Sequence, residues 1–95
     1  MTVEELKKEL EKLISGLGSS GFGSIDSGTV KKLDDFAATA GDLGMKSGKQ
    51  LIENLSGAMK AIQEGKSKPE SGDIRLTALD FYVKKLSGEG NTEEL

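Results

Sequence analysis

The chain contains no cysteine, no histidine and no tryptophan. Without cysteine there is no disulfide, no thiolate nucleophile and no zinc–thiolate centre; without histidine the commonest general base and metal ligand is missing. Much of the usual enzyme repertoire is closed to it, and neither a cofactor nor a metal is expected. Aromatic residues are scarce too. Phe22, Phe36, Phe81 and Tyr82 are the whole set, so aliphatic side chains must supply most of the buried area, at about 25 cal/mol per Å². No apolar run approaches the ~20 residues that cross a bilayer, and the acidic start Met1-Thr2-Val3-Glu4-Glu5 is unlike a secretory signal. The expectation is a soluble cytoplasmic protein with no membrane partner. Arg75 is the single arginine and no aromatic residue is interleaved with a basic run, so no nucleic-acid partner is expected.

What the 95 residues do contain is 35% hydrophobic and 31% charged residues with a net charge of −3, enough apolar material for one core and too little length for two. Val3, Leu6, Leu10, Leu13 and Leu17 follow a helical spacing with Ile14 beside them. Thr2 and Glu5 form a capping box at its start. Gly16 and Gly18 weaken the last turn, and residues 18–26 read as a loop, with Phe22 as its one large apolar residue, tucked against the bundle.

A second helix opens at Asp26 or Ser27 and carries Val30, Leu33, Phe36, Ala37, Ala40 and Leu43 over an arc of about 140°. Gly41 and Gly44 bracket a break, and Ser47 with Gln50 offers a second capping box. The third helix presents Leu51, Ile52, Leu55, Ala58, Met59 and Ile62 over about 120°, the width of one face on a core. Residues 64–72, with two glycines and Pro69, read as an exposed connection ending at Asp73, the expected cap of the fourth helix.

The fourth helix differs from the others: Ile74, Leu76, Ala78, Leu79, Phe81, Tyr82, Val83 and Leu86 spread over about 220°, more apolar surface than one contact requires. Two stripes can be drawn on it, Leu76/Leu79/Val83/Leu86 and Ile74/Ala78/Phe81/Tyr82. One is to meet the core and the other a partner, unless both are buried at the centre of a bundle. Leu76, Leu79, Tyr82, Val83 and Leu86 are the candidate partner-binding residues. Gly88 ends the helix and residues 88–95 read as a flexible acidic tail.

Four short motifs bear on chemistry. Gly16-Leu17-Gly18-Ser19-Ser20-Gly21 has the glycine spacing of a dinucleotide-binding turn, but a helix precedes it where a strand is needed. Gly44-Met45-Lys46-Ser47-Gly48-Lys49-Gln50 approaches a phosphate loop with one residue too few between its glycines and Gln50 in place of the hydroxyl; the amides there, with Lys46 and Lys49, can at most hold an anion. Gly65-Lys66-Ser67 lacks the upstream glycine. Asn54-Leu55-Ser56 fits the glycosylation pattern but lies within a helix. Among the carboxylates, Asp34, Asp35, Asp42 and Asp80 lie nearest apolar faces; Asp34 and Asp35 project about 100° apart and chelate poorly together.

Asp26-Ser27, opening a helix in a small acidic helical protein, resembles the modification site of acyl carrier proteins. That resemblance covers only this pair and a few neighbours, and Gly28 stands where the family usually has leucine. It implies a phosphopantetheine carried on Ser27, whereas the local alternative is plain N-capping.

Charge is sectioned along the chain. Residues 1–43 carry five lysines against eight acids, residues 44–68 five lysines against two, and residues 69–95 three bases against six. Such blocks can pair with one another inside a fold, steer an acidic partner, or bring two copies together.

The sequence thus predicts a single all-α domain over residues 1–87: a compact four-helix bundle with helices at about 2–17, 27–43, 47–63 and 73–87. The alternative is a three-helix bundle with the N-terminal helix loosely attached. The expected role is non-enzymatic, binding a protein partner or self-associating through the fourth helix. The alternatives are a carrier modified at Ser27 and a small enzyme working through carboxylates and lysines.

Overall fold

A computed structural model describes residues 2–22 and 25–89, with the side chains of Ser20 and residues 86–89 outside the description. Four helices follow in order: α1 (Val3–Ser20), α2 (Ser27–Asp42), α3 (Lys46–Gln63) and α4 (Pro69–Glu89). The radius of gyration, 12.6 Å, is close to the ~12.4 Å expected of a folded chain of this length. α1 packs on α2 and α4, and α3 packs on the same two helices with the largest contacts of the bundle. The four helices therefore close into a ring. Leu6 and Leu10 of α1 are completely buried, so α1 is an integral wall and the three-helix alternative does not apply.

The core is the aliphatic one the composition requires. α1 contributes Leu6, Leu10, Ile14 and Leu17; α2 contributes Val30, Leu33, Ala37 and Ala40; α3 contributes Ile52, Leu55 and Met59; α4 contributes Leu76, Leu79 and Val83. Phe22 enters from the α1–α2 connection, as its isolation among glycines and serines suggests, and is 3% exposed.

Both of the first two N-terminal caps form as their sequences specify. The Thr2 hydroxyl accepts from the Glu5 amide at 3.2 Å while the Glu5 carboxylate accepts from the Thr2 amide at 2.8 Å. Asp26 accepts from the Gly28 amide at 3.0 Å. Each satisfies an amide that the first turn leaves without an intrahelical acceptor.

Four boundaries depart from expectation. α1 runs on through Gly16 and Gly18 to Ser20, because buried Leu17 and the anchored Phe22 hold its last turn against the core. α3 begins at Lys46, one residue before Ser47, so Ser47 cannot act as its N-cap; that position falls to Met45, whose side chain makes no capping bond. α4 begins at Pro69 rather than at Asp73. Proline suits a first helical position, since its missing N–H has no intrahelical acceptor to lose there, and Lys68 O accepts from both the amide and the hydroxyl of Ser71. α4 also continues one residue past Gly88, and residues 90–95, the rest of the expected tail, lie outside the described residues.

The α2–α3 and α3–α4 turns share one construction. After α2, Gly44 (φ 80°) donates to Gly41 O, and Met45 donates to Ala40 O. After α3, Gly65 (φ 76°) donates to Ile62 O, and Lys66 donates to Ala61 O. These are Schellman caps, whose left-handed residue favours glycine. Met45 then serves as both the last residue of one cap and the N-cap of α3, and its buried side chain seals the corner.

Candidate functional site

α4 meets the bundle along one side only. Leu79 and Val83 are fully buried, and Leu76 and Tyr82 nearly so. Of the residues assigned to partner binding, Leu76, Leu79, Tyr82 and Val83 are core residues whose apolar surface is covered within the chain itself, while the side chain of Leu86 lies outside the described residues. Among the described residues the division into stripes holds except at Tyr82, which turns inward with the first stripe. What remains outside is Ile74, 65% exposed, and Phe81, 66% exposed, with exposed Ala78 between them.

Ile74, Ala78 and Phe81 are spaced four and three residues apart, so they line one seam along the helix. Ile74 and Phe81 are the large hydrophobic residues left most open among the described residues. The Lys85 ammonium lies over the Phe81 ring, 5.4 Å from its centroid, within cation–π range. On the flank, Lys84 and Asp80 pair at 3.1 Å.

Two close approaches fix α4 to its neighbours, and neither is announced by a residue with obvious chemistry. A Cβ placed on Gly72 would lie 2.7 Å from the Phe22 ring, and one on Gly48 would lie 2.9 Å from the Tyr82 hydroxyl oxygen. The first lets the α1–α2 connection dock on α4; the second lets the hydroxyl end of Tyr82 pack against the α3 backbone at Gly48. The signal available in the sequence was position: Gly72 falls four residues before Leu76, on the apolar face of α4.

A polar cluster joins α2 to α3. The Ser56 hydroxyl, on a residue 2% exposed, donates to Asp34 Oδ1 at 2.6 Å, and Lys60 Nζ lies 3.1 Å from Asp34 Oδ2. The Ser56 hydrogen bond, and then Lys60, hold the Asp34 carboxyl below its ordinary value. Ser, Asp and Lys together invite comparison with a nucleophile and its activators. The geometry differs: the hydroxyl is buried and donates a hydrogen bond to the Asp34 carboxylate, which Lys60 also pairs, so the cluster works as an interhelical clasp. Lys60–Asp34 also joins the basic middle of the chain to an acidic section, whereas Lys49–Glu53 and Lys66–Glu64 pair within the middle itself.

An open groove runs between α1 and α2, floored by Leu13, Gly16 and Phe36 and rimmed by Glu9, Lys12 and Lys32. Asp35 and Glu5 lie on its wider border. Hydrogen bonds from the Thr2 amide and hydroxyl hold the Glu5 carboxyl below its ordinary value. The rim charges are solvent-exposed and lack the burial that commonly poises a carboxyl for acid–base work near neutral pH.

The remaining motif residues are dispersed. Ser27 is exposed at the first position of α2, and the Gln63 side chain donates to Ile25 O at 3.1 Å beside it. Lys46 and Lys49 are exposed on the first turn of α3, with the stem of Lys49 over Gly41. Ser56 of the glycosylation pattern is in the core. Asp42 is exposed at the end of α2. Among the described residues no three carboxylates converge as a metal site, and no helix is long and apolar enough to cross a membrane. A scan of protein-family models and searches of curated proteins and of solved structures find no match to this chain.

Proposed function

We propose that this protein is a non-enzymatic interaction module whose docking surface is the outer face of α4. The observation that carries the reading is the pair Ile74 and Phe81, each about two-thirds exposed on one seam, with only Ala78 between them. Single exposed apolar residues are ordinary on a protein surface, whereas an aligned apolar strip framed by charge is the pattern that partners cover. The inner face of α4 supplies the rigidity such a surface needs, because Leu79, Val83 and Tyr82 lock the helix in place. The partner class is a protein presenting a complementary apolar strip, as in helix-to-helix recognition.

The test compares the full chain with its Phe81→Glu variant in two assays: capture from a lysate of its native cells, and sedimentation across a concentration range. The introduced glutamate would stand four residues before Lys85 and suits the helix, so the variant removes the apolar face without unfolding the domain. Loss of a captured protein or of self-association in the variant supports the docking role. Identical behaviour in both assays removes it.

A further inference from the structure

We infer that the occupant of the α4 outer face is a second copy of this chain, seated antiparallel across a two-fold axis near Thr77 and Ala78. The inference rests on the docking role proposed above and names its partner. At about 100° per residue, Glu70, Ile74, Ala78, Phe81 and Lys85 fall within roughly 80° of one another on α4. All five are exposed. The seam therefore reads, from its N-terminal end, acid, apolar, small, aromatic, base.

That order is self-complementary only when reversed. An antiparallel second copy that sets Ile74 against Phe81 of its mate also sets Glu70 against Lys85, and Thr77 against Ala78 at the centre. One flank follows the same polarity, with Asp73 on the N-terminal half and Lys84 on the C-terminal half on the same side of the seam. A parallel pair would instead stack Glu70 on Glu70 and Lys85 on Lys85. Under two-fold symmetry each favourable contact occurs twice, as does each clash. The small Thr77–Ala78 centre lets the two helices approach closely, so that the larger Ile74 and Phe81 interdigitate on either side. Lys85, already over the Phe81 ring, needs only to extend along the seam to reach the acid. The seam is about 22 Å long, shorter than the faces of stable dimers, so the association is transient and concentration-dependent.

Sedimentation equilibrium of the full chain at low ionic strength, with helicity checked by circular dichroism, tests the pairing. The wild type should show a reversible monomer–dimer equilibrium that Phe81→Glu weakens about tenfold or more. Glu70→Lys and Lys85→Glu should each weaken it several-fold, because each places like charges together twice, and the double variant E70K/K85E should recover the wild-type affinity within about twofold. Dimers that neither single charge reversal weakens overturn the antiparallel arrangement. A wild type that stays monomeric into the millimolar range overturns self-association itself; Phe81-dependent capture of another protein would still uphold the docking role.

Discussion

Both faces of α4 carry large apolar side chains, and these have opposite fates. On one, Leu79 and Val83 are fully buried; on the other, Ile74 and Phe81 are open to solvent over about two-thirds of their surface. Hydropathy identifies side chains that gain by leaving water, and it does not say what will cover them. In a ring of four helices each member has one inward side, so the second stripe of α4 is left to solvent or to another molecule. α2 and α3, with apolar arcs of about 140° and 120°, have no comparable surplus.

If the inner face is the structural one, truncating it should cost most. Leu79→Ala should lower unfolding free energy by about 2–5 kcal/mol, the usual range for a fully buried leucine, a large share of the ~5–15 kcal/mol available to a domain. Urea titration measures this directly, and a loss below about 1 kcal/mol would mean that α4 is not packed as described. The next effect is Gly72→Ala. Alanine improves helix propensity by about 1 kcal/mol, but its methyl would lie 2.7 Å from the Phe22 ring, and overpacking of this kind costs about 1–3 kcal/mol. Net destabilisation of about 1 kcal/mol is expected, relieved when Phe22→Leu is added. Gly16→Ala, at a helical position with nothing within 4 Å, supplies the control and should stabilise by about 0.5–1 kcal/mol. Equal shifts for the two glycines would remove the close approach as their distinguishing feature.

Periodicity made four helices legible, and cap chemistry made two of their starts legible, at Thr2 and Asp26, because those signals act within a few residues. The failures have two causes: tertiary packing overriding local preference, and cap chemistry at the corners that composition alone misplaces. Gly16 and Gly18 argue for a helix end, yet burial of Leu17 keeps α1 wound. Ser47 and Gln50 have cap spacing, yet the Schellman cap of α2 consumes the corner and starts α3 one residue early. Pro69 sits among loop-forming residues and still opens α4, since proline's stereochemistry suits that one helical position. The apolar excess of α4 was visible in sequence, but the side it faces was not: Tyr82 belongs by composition to either stripe, and only the recess at Gly48 draws it inward. The Ser56–Asp34 clasp was equally hidden, as it joins residues 22 apart.

The smallest expected stability change falls on the outer face and discriminates most sharply between the two. Phe81→Glu removes a ring that buries little, and with it the Lys85 cation–π contact, worth about 0.5–1 kcal/mol at an exposed site. It adds a glutamate four residues before Lys85, worth about 0.2–0.5 kcal/mol, and a residue of better helix propensity. These contributions nearly cancel, so the midpoint of urea unfolding, measured at concentrations where the chain is monomeric, should shift by no more than about 0.5 kcal/mol equivalent. A substitution of charge for aromatic that leaves the monomer's stability unchanged is what a side chain outside the core permits. Should the variant instead lose several kcal/mol, Phe81 would be contributing to the monomer's own packing, the two faces of α4 would cease to differ, and the surface offered to a partner would vanish with the distinction.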